Sequence, residues 1–590
     1  MMTNSQIATL LRHVAASYTI QNEAKFRFQI LAYQKAADAI ESSPTEIKDY
    51  IASNSLDSLP GIGESMKKYL EELIETGKVS HFEVILKDMP EAFFPLLDIP
   101  SFGPKKAFKL VSYFKFKDKN TVLDELIEKA RNNEIASIEG FGEKSQEDII
   151  QAITEFHQGV NKNSRMVLPF AQEIADKMLD YLKKSSAVEK VYTLGSLRRQ
   201  KETIGDVDIA VASLHPKEVI EHFCAYPYKD RIIERGEASA SLLISGGKHI
   251  DLMVQPPDRF GSLLQHFTGS KEHNVKLREF ALKKGLSLSE YGIKRKGSDT
   301  VDAYSTEESF YSALGLSYIE PEIRENIGEI DLAEKNNLPK LITLNDIKGD
   351  FHLHSNYPIE PSHDMGRNSM EEMVENAISL GYQYMGFSEH NPSVSKHTSP
   401  QTALLLEKRY KKIEQINEKY KKDIRVYSLL EVDILSNGDI AIDIIAFDYL
   451  DAFLVSIHSS FSMPRDKMTE RILKGLSHPK AKILSHPTTR LIGKRPGIDV
   501  DWDKVFDFCH KNNKAMEINS FPQRLDLPDS LVRQAKTHGV KFMIDTDSHA
   551  TEHMSLMRYG ISVARRAMTT PDDILNSWEY NKFNDWLLNS

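Results

Sequence analysis

The chain has 590 residues, a formal net charge of −10 and 41% hydrophobic residues. It is too long for one hydrophobic core, so we expect about three to five domains. Two cysteines, Cys224 and Cys509, are too few for a disulfide framework and indicate a reducing compartment. The sequence shows neither a signal peptide nor an apolar run of membrane-spanning length, which predicts a soluble, cytoplasmic protein with no membrane partner.

The negative net charge argues weakly against a nucleic-acid partner, because contacts to phosphate dominate that kind of affinity. Basic residues are nevertheless clustered, and every cluster lies before residue 300. The clusters occupy residues 105–106, 115–119, 198–201, 283–284 and 294–296. One such cluster is equally well explained as a solvated helix face, but five together are explained less well in this way.

Residues 1–90 carry apolar side chains at helical spacing, and three similar turns occur within the first 163 residues, at 59–63, 99–104 and 138–142. Glycine at such a turn lets backbone amides approach a phosphate. The three turns resemble the helix-hairpin-helix motif, although Ser101 replaces the first glycine of the middle turn. The resemblance implies DNA contacts at Gly61, Gly63, Gly103, Gly140 and Gly142.

Residues 195–209, GSLRRQKETIGDVDI, follow an apolar run that predicts a strand. A helix is expected to begin at Gly195-Ser196 and to direct free backbone N–H groups at an anion. Asp206 and Asp208 flank Val207, and the strand period predicts that both carboxylates lie on one face. Paired carboxylates suit Mg²⁺ that also binds substrate phosphates.

Asp251 is the third expected carboxylate, because two metals acting on one phosphoryl group need more than two aspartates. It lies inside an apolar strand-like run, where a lone aspartate is normally disfavoured. The alternative interpretation of Asp206 and Asp208 is a solvated strand end. The glycine-serine turn, the arginines and Asp251 make that alternative much weaker.

These residues, with His266-Phe267-Thr268-Gly269-Ser270, resemble the palm signature of the family X DNA polymerases, the group that contains DNA polymerase beta. The resemblance implies Mg²⁺ or Mn²⁺ as cofactor, and deoxynucleoside triphosphates with gapped or primer-template DNA as partners. It implies that Asp206, Asp208 and Asp251 bind metal and act in catalysis. The implied nucleotide-binding residues are Gly195, Ser196, Arg199, Gly205, His266, Phe267, Gly269 and Asn274. His266 stands where the animal enzymes have tyrosine.

From about residue 350, strand-like runs alternate with helical patterns, which predicts a parallel sheet, most simply a barrel. The carboxyl ends of such strands share one rim, and most of these runs end in a histidine or a carboxylate. Nitrogen and carboxylate donors without cysteine fit Zn²⁺, Mn²⁺ or Fe²⁺ and do not choose among them. A single histidine at a strand end is more often structural, but the repetition favours a metal site.

This part resembles the PHP (polymerase and histidinol phosphatase) domain, a metal-dependent phosphoesterase. The resemblance implies a site of two or three Mn²⁺, Zn²⁺ or Fe²⁺ ions. The implied ligands are His352, His354, Asp364, His390, Glu431, His458, His486, Asp547 and His549. Residues 358–363 interrupt the usual step to the aspartate, so Glu360 is a rival to Asp364; Asp364 is favoured because residues 366–369 follow it as the family pattern expects. Glu389 and Leu430 also replace the usual aspartate and glycine.

The expected fold is multidomain, α+β and α/β, with helical N-terminal domains, a nucleotidyltransferase palm and a distorted (β/α)7 PHP barrel. The expected domains are a helical DNA-binding domain (1–90), a helix-hairpin-helix domain (91–163), the palm (164–260), a nucleotide-binding subdomain (261–325), a linker (326–345) and the PHP domain (346–590).

The order of domains resembles the bacterial PolX enzymes. It implies a repair polymerase that fills short gaps, with a PHP site that trims 3′ ends as a 3′–5′ exonuclease. Two alternatives are a small-molecule phosphatase with an inactive front half and a DNA-binding scaffold with both sites inactive. The intact acidic triad argues against the first alternative, and the intact ligand set argues against the second.

Abasic-site lyase activity is not expected. Alignment on residues 59–63 places Tyr69 where related enzymes carry a lysine that forms a Schiff base with the abasic sugar, and a phenol cannot form an imine. Lys67 and Lys68 point to other helix faces. Borohydride should therefore trap no covalent adduct with DNA that ends in a 5′-deoxyribose phosphate. A strong adduct would show that Lys67, Lys68 or another amine performs the reaction.

Overall fold

The computed structural model describes all residues except 1, 3, 42–46, 53–55, 57–58, 60–61, 98, 100–101, 158–164, 245–246 and 590. The chain forms two compact units, each discontinuous in sequence. Unit 1 comprises Met1–Met166, Phe170–Thr193 and Gly205–Pro256, and unit 2 comprises Val167–Pro169, Leu194–Ile204 and Pro257–Ser590. Among the described residues, no helix is both long and apolar enough to cross a membrane.

Unit 1 begins with helices, as the apolar spacing predicts. They are α1 Asn4–Asn22, α2 Arg27–Glu41, α3 Ile47–Ala52, α4 Glu64–Thr76, α5 Ser80–Leu86, α6 Phe94–Leu97, α7 Pro104–Phe114, α8 Val122–Arg131 and α9 Glu143–His157. Their apolar faces form two buried clusters, one that includes Leu11 and Leu70 and one that includes Phe93 and Leu110. Tyr69 stacks on His81 and packs against the first cluster.

The rest of unit 1 is built on a five-stranded sheet of order β2-β4-β7-β6-β5. The strands are β2 Lys190–Thr193, β4 Val207–Ala212, β5 Lys229–Arg235, β6 Ser239–Ile244 and β7 Lys248–Gln255. Strands β4 and β7 are parallel, and the other neighbours are antiparallel. The remaining elements before residue 257 are β1 Met166–Val167, α10 Leu168–Leu182 and α12 Pro216–Cys224, together with α11 Gly195–Arg198 and β3 Thr203–Ile204, which lie in the segment Leu194–Ile204 of unit 2.

Unit 2 first forms a mixed α/β region with its own core. Its elements are α13 Phe260–Thr268, α14 Lys271–Lys283, β8 Leu286–Ser289, β9 Gly292–Arg295, β10 Val301–Asp302, α15 Glu307–Ala313 and α16 Glu329–Glu334. Helix α16 lies inside the segment predicted as a linker. Its Glu329 is fully buried beside His273, with 2.6 Å between Glu329 Oε1 and His273 Nδ1, so this part of the segment belongs to a packed core.

The C-terminal part of unit 2 alternates strands and helices, in agreement with the sequence pattern. Its elements are α17 Met370–Ser379, β11 Tyr384–Phe387, α18 Ser399–Tyr420, β12 Arg425–Ser428, β13 Glu431–Asp433, β14 Phe453–Ser456, α19 Arg465–Leu476, β15 Ala481–Leu484, α20 Trp502–Lys511, β16 Ala515–Asn519, α21 Asp529–Thr537, β17 Lys541–Asp545, α22 Met557–Arg566 and α23 Tyr580–Asn589. The seven strands pair in parallel, β11 with β12 and β13 to β17 in chain order. A further parallel bridge joins Leu353 to Ser548.

A buried ion-pair network fixes the end of the mixed α/β region. The side chain of Arg324 is fully buried; its Nη1 donates to Glu307 Oε1 at 2.6 Å, and its Nε and Nη2 donate to the carbonyl of Ile319. Arg198 donates to both oxygens of the same carboxylate, from Nη1 to Oε1 at 3.0 Å and from Nη2 to Oε2. Burial alone would raise the pKa of Glu307, but Arg324 and Arg198 hold it below its ordinary value.

Glu307→Ala should destabilise this region by about 3–5 kcal/mol, because it leaves two buried or half-buried guanidinium groups without their carboxylate. Hydrogen exchange of the α15 and α16 amides in urea measures the local free energy of unfolding. Because the folded pKa of Glu307 is depressed, its stabilising effect is lost as the pH falls, and the difference should narrow below pH 4.5.

Glu308→Ala, on the exposed side of the same helix, is the matched control and should change stability little. Equal stability of Glu307→Ala and the parent protein at pH 7 would contradict the role assigned to this network.

Candidate functional site

The sheet of unit 1 brings two of the predicted acidic residues side by side. Asp208 in β4 and Asp251 in β7 are register partners on neighbouring parallel strands. Ser241 Oγ, on the adjacent strand β6, donates a hydrogen bond to Asp251 Oδ1. Asp206 lies one residue before β4, where the chain enters the sheet. Asp208 and Asp251 therefore lie in strands, as the sequence predicts.

The three aspartates are not as tightly clustered as the groups in unit 2 described below. Among the residues that the structure describes, they do not form a set whose ligand atoms all lie within 4.8 Å of one another. Gly205 precedes Asp206, and a Cβ there would come within 3.4 Å of Arg165 Nη1. This is an ordinary van der Waals distance to the end of a flexible side chain, so the turn into β4 has room for a small side chain at this position.

Most predicted nucleotide-binding residues belong to unit 2. Gly195 and Ser196 lie in the short helix α11, which begins where the sequence predicts. Arg199 donates from Nη1 to the carbonyl of Thr268 and from Nε to Glu325 Oε1 at 2.9 Å. Gly269 follows Thr268 with a φ of 69°, in the left-handed region. A Cβ on Gly269 would meet Arg199 Nη1 at 3.0 Å, so glycine permits this close approach.

A second set of predicted nucleotide-binding residues lies on two consecutive helices. His266 and Phe267 lie near the end of α13, with their rings 4.9 Å apart, and Asn274 lies in α14. Asn274 Nδ2 donates to the carbonyl of His266 at 2.7 Å, and its Oδ1 accepts from Gln265. Burial lowers the pKa of His266. The imidazole is therefore held in its neutral form more strongly than a solvated histidine.

Residues 194–204 are also attached to the C-terminal part of unit 2. Arg566 in α22 donates to the carbonyl of Arg199 at 3.0 Å and pairs with Glu325 at 3.1 Å. Ser562 Oγ donates to Gln200 Oε1, and Arg490 pairs with Glu202 at 2.7 Å. Sequence reasoning missed these contacts, because no local pattern relates residues so distant in the chain.

The three helix-hairpin-helix-like turns share one backbone pattern. In each turn an N–H donates to the carbonyl three residues earlier: Ile62 to Leu59, Phe102 to Ile99, and Phe141 to Ile138. Gly63, Gly103 and Gly142 each follow with a carbonyl that accepts the first bond of a helix. Gly140 has a φ of 83°, a conformation that favours glycine. Gly61 lies outside the described residues.

The predicted ligands of the C-terminal part follow the carboxyl ends of parallel strands. His390 follows β11, Glu431 follows β12, His458 follows β14, His486 follows β15, and Asp547 and His549 follow β17. His352 and His354 flank Leu353, which bridges to Ser548. Parallel strands place their carboxyl ends at the same edge of a sheet, and this brings residues separated by almost 200 positions into one cluster.

Glu431 lies at the centre of this cluster, fully buried among five imidazoles. The distances from its carboxylate oxygens to the nearest ring nitrogens are 2.9 Å for His390 and His486, 3.1 Å for His352, 3.3 Å for His458 and 3.6 Å for His354. Burial alone would raise the pKa of Glu431, but the surrounding histidines lower it well below its ordinary value. The carboxylate is therefore ionised.

Asp547 and Asp364 complete the cluster on its outer side. Asp547 Oδ1 lies 3.4 Å from His354 Nε2 and 3.6 Å from His352 Nε2. The carboxylate of Asp364, mostly exposed, lies 3.8 Å from both His390 and His549. Glu360, the rival candidate, instead pairs with His397 at 3.2 Å. The geometry therefore favours Asp364 over Glu360.

Several buried polar atoms of the cluster have no hydrogen-bond partner among the described residues and are suitable ligand atoms for metal ions. Within the described part of the chain, several buried ring nitrogens and one carboxylate oxygen lack a hydrogen-bond partner, and buried polar atoms are normally paired. They are His352 Nε2, His354 Nδ1 and Nε2, His390 Nδ1, Glu431 Oε2, His486 Nδ1 and His549 Nε2. Overlapping three-residue groups of these ligands have donor atoms within 4.8 Å of one another. A divalent cation would satisfy such a donor set.

Carboxylates outside the predicted set orient two of the histidines. His352 Nδ1 lies 2.6 Å from Glu517 Oε1, and His458 Nδ1 lies 2.6 Å from Asp433 Oδ1. Such contacts fix the orientation of an imidazole whose other nitrogen binds metal. Burial alone would lower the pKa of His352, but Glu517 and the other nearby carboxylates raise it well above its ordinary value. The position of Asp433, two residues after Glu431, is the sequence signal that could have identified it.

The backbone is strained at two of the predicted ligands. His486 and Asp547 have φ angles of 27° and 53°, in the left-handed region that non-glycine residues rarely adopt. Such strain costs about 1–3 kcal/mol per residue and is concentrated at functional sites. Burial, followed by the charge of Arg524, lowers the pKa of His486 to about 4. This imidazole is therefore neutral at physiological pH and able to act as a ligand.

The unusual Glu389 beside His390 has a structural partner. It is buried, and its carboxylate accepts from Arg409 Nε at 2.7 Å and from Arg409 Nη2. Its other oxygen accepts from the amide and the hydroxyl group of Ser355, next to His354. Glu389 therefore fixes the segment that carries the first histidine pair.

Three parts of the chain match known families. Residues 2–79 match a helix-hairpin-helix domain, residues 263–325 the DNA polymerase beta thumb, and residues 350–521 the PHP domain. The fold and its sites thus define a protein that joins elements of a beta-type polymerase to a PHP domain.

Similarity to one relative extends over almost the whole chain. The chain is 32% identical, over 578 residues and 98% of both sequences, to the DNA polymerase/3′-5′ exonuclease PolX of Bacillus subtilis (strain 168). It is also 25% identical over 357 residues to DNA polymerase lambda of Rattus norvegicus, covering 55% of this chain and 56% of the relative. The corresponding enzyme of Arabidopsis thaliana is 26% identical over 330 residues, 50% and 57% of the two chains.

The chain belongs to the PolX family of DNA polymerases. Two alternatives were a small-molecule phosphatase with an inactive front half and a DNA-binding scaffold. Membership of this family favours neither of them.

Removal of divalent metal should destabilise the C-terminal part of unit 2, because Glu431 and its histidines then face one another without a cation. Thermal unfolding should shift to lower temperature in a chelator and recover when Mn²⁺ is restored. Saturation with metal at 100 times its Kd would contribute about 2.7 kcal/mol. Glu431→Gln should reduce the response to Mn²⁺.

Glu418→Gln is the matched control, since Glu418 pairs with Lys421 on the surface. An identical Mn²⁺ response in Glu431→Gln and the parent protein would contradict the assignment of Glu431 to the metal site.

Proposed function

We propose that this protein fills short gaps in DNA with its front half and removes nucleotides from DNA 3′ ends with its PHP domain. The observation that carries the proposal is the presence of two carboxylate-based sites, one in each unit. Asp208 and Asp251 are paired across strands of unit 1, and Glu431 lies among the histidines of unit 2. Similarity to a DNA polymerase/3′-5′ exonuclease over 98% of the chain supports assigning these two reactions to the two sites.

Two finer features of the fold belong to this proposal. The five-stranded sheet of unit 1 is the nucleotidyltransferase palm, within residues 164–260. The parallel strands after residue 346 close as the distorted (β/α)7 barrel of a PHP domain. The parallel bridge between Leu353 and Ser548 supports that closure, since it joins the first segment of this part to the last.

In nucleotide addition, Asp206, Asp208 and Asp251 bind the metal ions, and Ser241 holds Asp251 in position. Gly195, Ser196, Arg199 and Gly205 bind the triphosphate. His266, Phe267, Gly269 and Asn274 line the sugar and base. Contacts to the DNA backbone come from the glycines of the hairpin turns, which need no particular base sequence.

In 3′-end trimming, the nine predicted PHP ligands bind the ions while Glu517 and Asp433 hold His352 and His458 in place. The palm takes Mg²⁺ or Mn²⁺, and the PHP site takes two or three Mn²⁺, Zn²⁺ or Fe²⁺ ions. When bound, these ions supply the positive charge that stabilises phosphoryl oxygens in the transition state. A mispaired or blocked terminus could then be removed before the palm extends the strand.

The two activities should be separable by point mutation. Asp208→Ala should abolish nucleotide addition while sparing nuclease activity, because it removes a carboxylate from the unit 1 sheet alone. The double variant His352→Ala/His354→Ala should lose bound metal and nuclease activity while retaining polymerase activity. Labelled gapped DNA, incubated with Mg²⁺ and with Mn²⁺, reports extension and trimming in one assay.

Extension at the parental rate by Asp208→Ala would contradict the palm assignment. Unchanged trimming by the double histidine variant would show that the nuclease reaction occurs elsewhere. His538→Ala serves as a control, since His538 lies on the outside of the same domain, beside Asp503 and Asp507.

A further inference from the structure

An ion-pair network in unit 2 links Arg199, a predicted triphosphate-binding residue, to two helices of the C-terminal part. Glu325 Oε1 accepts a hydrogen bond from Arg199 Nε at 2.9 Å and another, at 3.1 Å, from Nη1 of Arg566 at the end of α22. The exposed fractions of these side chains are 12% for Arg199, 15% for Glu325 and 3% for Arg566. Solvent therefore screens their charges little.

Arg566 is fixed from its other side by the first residue of α21. Its Nη2 donates to Asp529 Oδ2 at 2.8 Å, and the same oxygen accepts from Arg533 Nη1 at 3.0 Å. Arg533 also donates to the carbonyl of Arg566 at 3.1 Å. Burial alone would raise the pKa of Asp529, but Arg566 and Arg533 lower it to about 2. The guanidinium of Arg566 is therefore held between two ionised carboxylates, those of Asp529 and Glu325.

Arg566 contacts the main chain of Arg199 as well as the carboxylate that pairs with it. Arg566 Nη1 donates to the carbonyl of Arg199 at 3.0 Å. Arg199 Nη1 in turn donates to the carbonyl of Thr268, the residue before Gly269. The backbone of Arg199 is thus held by Arg566, and its guanidinium is held by Glu325 and Thr268. A side chain that is already held in place loses less conformational entropy when it binds a ligand.

The network carries more basic than acidic groups. Glu325 is shared among three basic partners, since Lys201 Nζ lies 4.0 Å from its Oε2, and it therefore neutralises Arg199 only in part. The excess positive charge favours an anion such as a triphosphate beside Arg199. Among the described residues, ion pairs of 2.8–4.0 Å join two carboxylates, Glu325 and Asp529, to four basic side chains, Arg199, Lys201, Arg533 and Arg566.

We propose that Glu325 and Arg566 are positioning residues for nucleotide addition. They act through Arg199, whose guanidinium they hold where it binds the triphosphate. This proposal rests on the polymerase function and on the role of Arg199 proposed above. Because Arg566 lies in α22, the affinity of the polymerase for deoxynucleoside triphosphates depends on a helix of the predicted PHP domain.

The test is a double-mutant cycle on the intact chain, with saturating gapped DNA and a varied concentration of one deoxynucleoside triphosphate. Arg566→Gln should raise the KM for the nucleotide about tenfold, because charge-assisted hydrogen bonds that fix Arg199 are lost. The kcat should change less than about threefold, because the network contains none of the three aspartates predicted to bind metal. In the background of Arg199→Gln, the same substitution should raise KM less than about twofold, because Arg566 acts through Arg199.

Glu325→Gln keeps the shape of the side chain but removes its charge, and it tests the network if Arg566→Gln does not fold. It should raise KM about threefold or more in the parent background and less than about twofold in Arg199→Gln. Arg558→Gln is the matched control and should keep the parental KM, because this arginine is exposed on the same helix and donates to the neighbouring Tyr559. Thermal unfolding is measured for every variant, so that loss of fold is not mistaken for loss of nucleotide binding.

An unchanged KM in both Arg566→Gln and Glu325→Gln would overturn the proposal. A lowered KM in Glu325→Gln would do the same, because it would show that Glu325 competes with the triphosphate for Arg199. An equal rise of KM with and without Arg199 would also contradict it, since the two residues would then act on the fold and not through Arg199. Failure of the parent protein to extend gapped DNA, or an unchanged KM in Arg199→Gln, would instead overturn the proposed function on which the inference rests.

Discussion

The C-terminal half of the chain depends on the burial of one carboxylate among five imidazoles. Glu431 cannot be stabilised there by solvent, and its neighbours cannot all carry protons without repelling one another. The remaining donors are directed toward shared positions, where a cation can replace several protons at once. Glu517, Asp433 and the Glu389–Arg409 pair then fix the surroundings of the histidines. The same buried residues therefore determine both the packing of this domain and its capacity to bind metal.

Much of the fold could be predicted, because the spacing of apolar residues along the chain indicates the helices and strands. Helical spacing identified the N-terminal helices, and the apolar runs identified β2, β4 and β7. The rule that parallel strands share an edge predicted that histidines from distant runs would meet. The motif favoured Asp364 over Glu360, but it could not give the position of either carboxylate relative to the histidines. That position depends on the path of residues 358–363, whose Ser362 N–H bonds to the carbonyl of Asn391.

Other parts of the sites had no local signal. Arg524 follows no motif, and its approach to Asp547, at 3.5 Å between Arg524 Nε and Asp547 Oδ2, depends on the path of the loop after β16. Glu325 was predicted to lie just before a linker, yet it accepts hydrogen bonds from Arg199 and Arg566. Burial alone would raise the pKa of Glu325, but these arginines lower it. Such long-range pairs are decided by tertiary packing, which composition and periodicity do not encode.

The attachment of residues 194–204 to α22 affects how this chain can be divided. Arg199 keeps its position through Glu325 and Arg566, and Gln200 and Glu202 contact Ser562 and Arg490. A front half expressed without the PHP domain would retain Asp206, Asp208 and Asp251 but would lose these supports. The boundary between polymerase and nuclease in the sequence is therefore not a boundary between independent parts. An isolated front half would therefore hold residues 194–204 less firmly than the intact chain does.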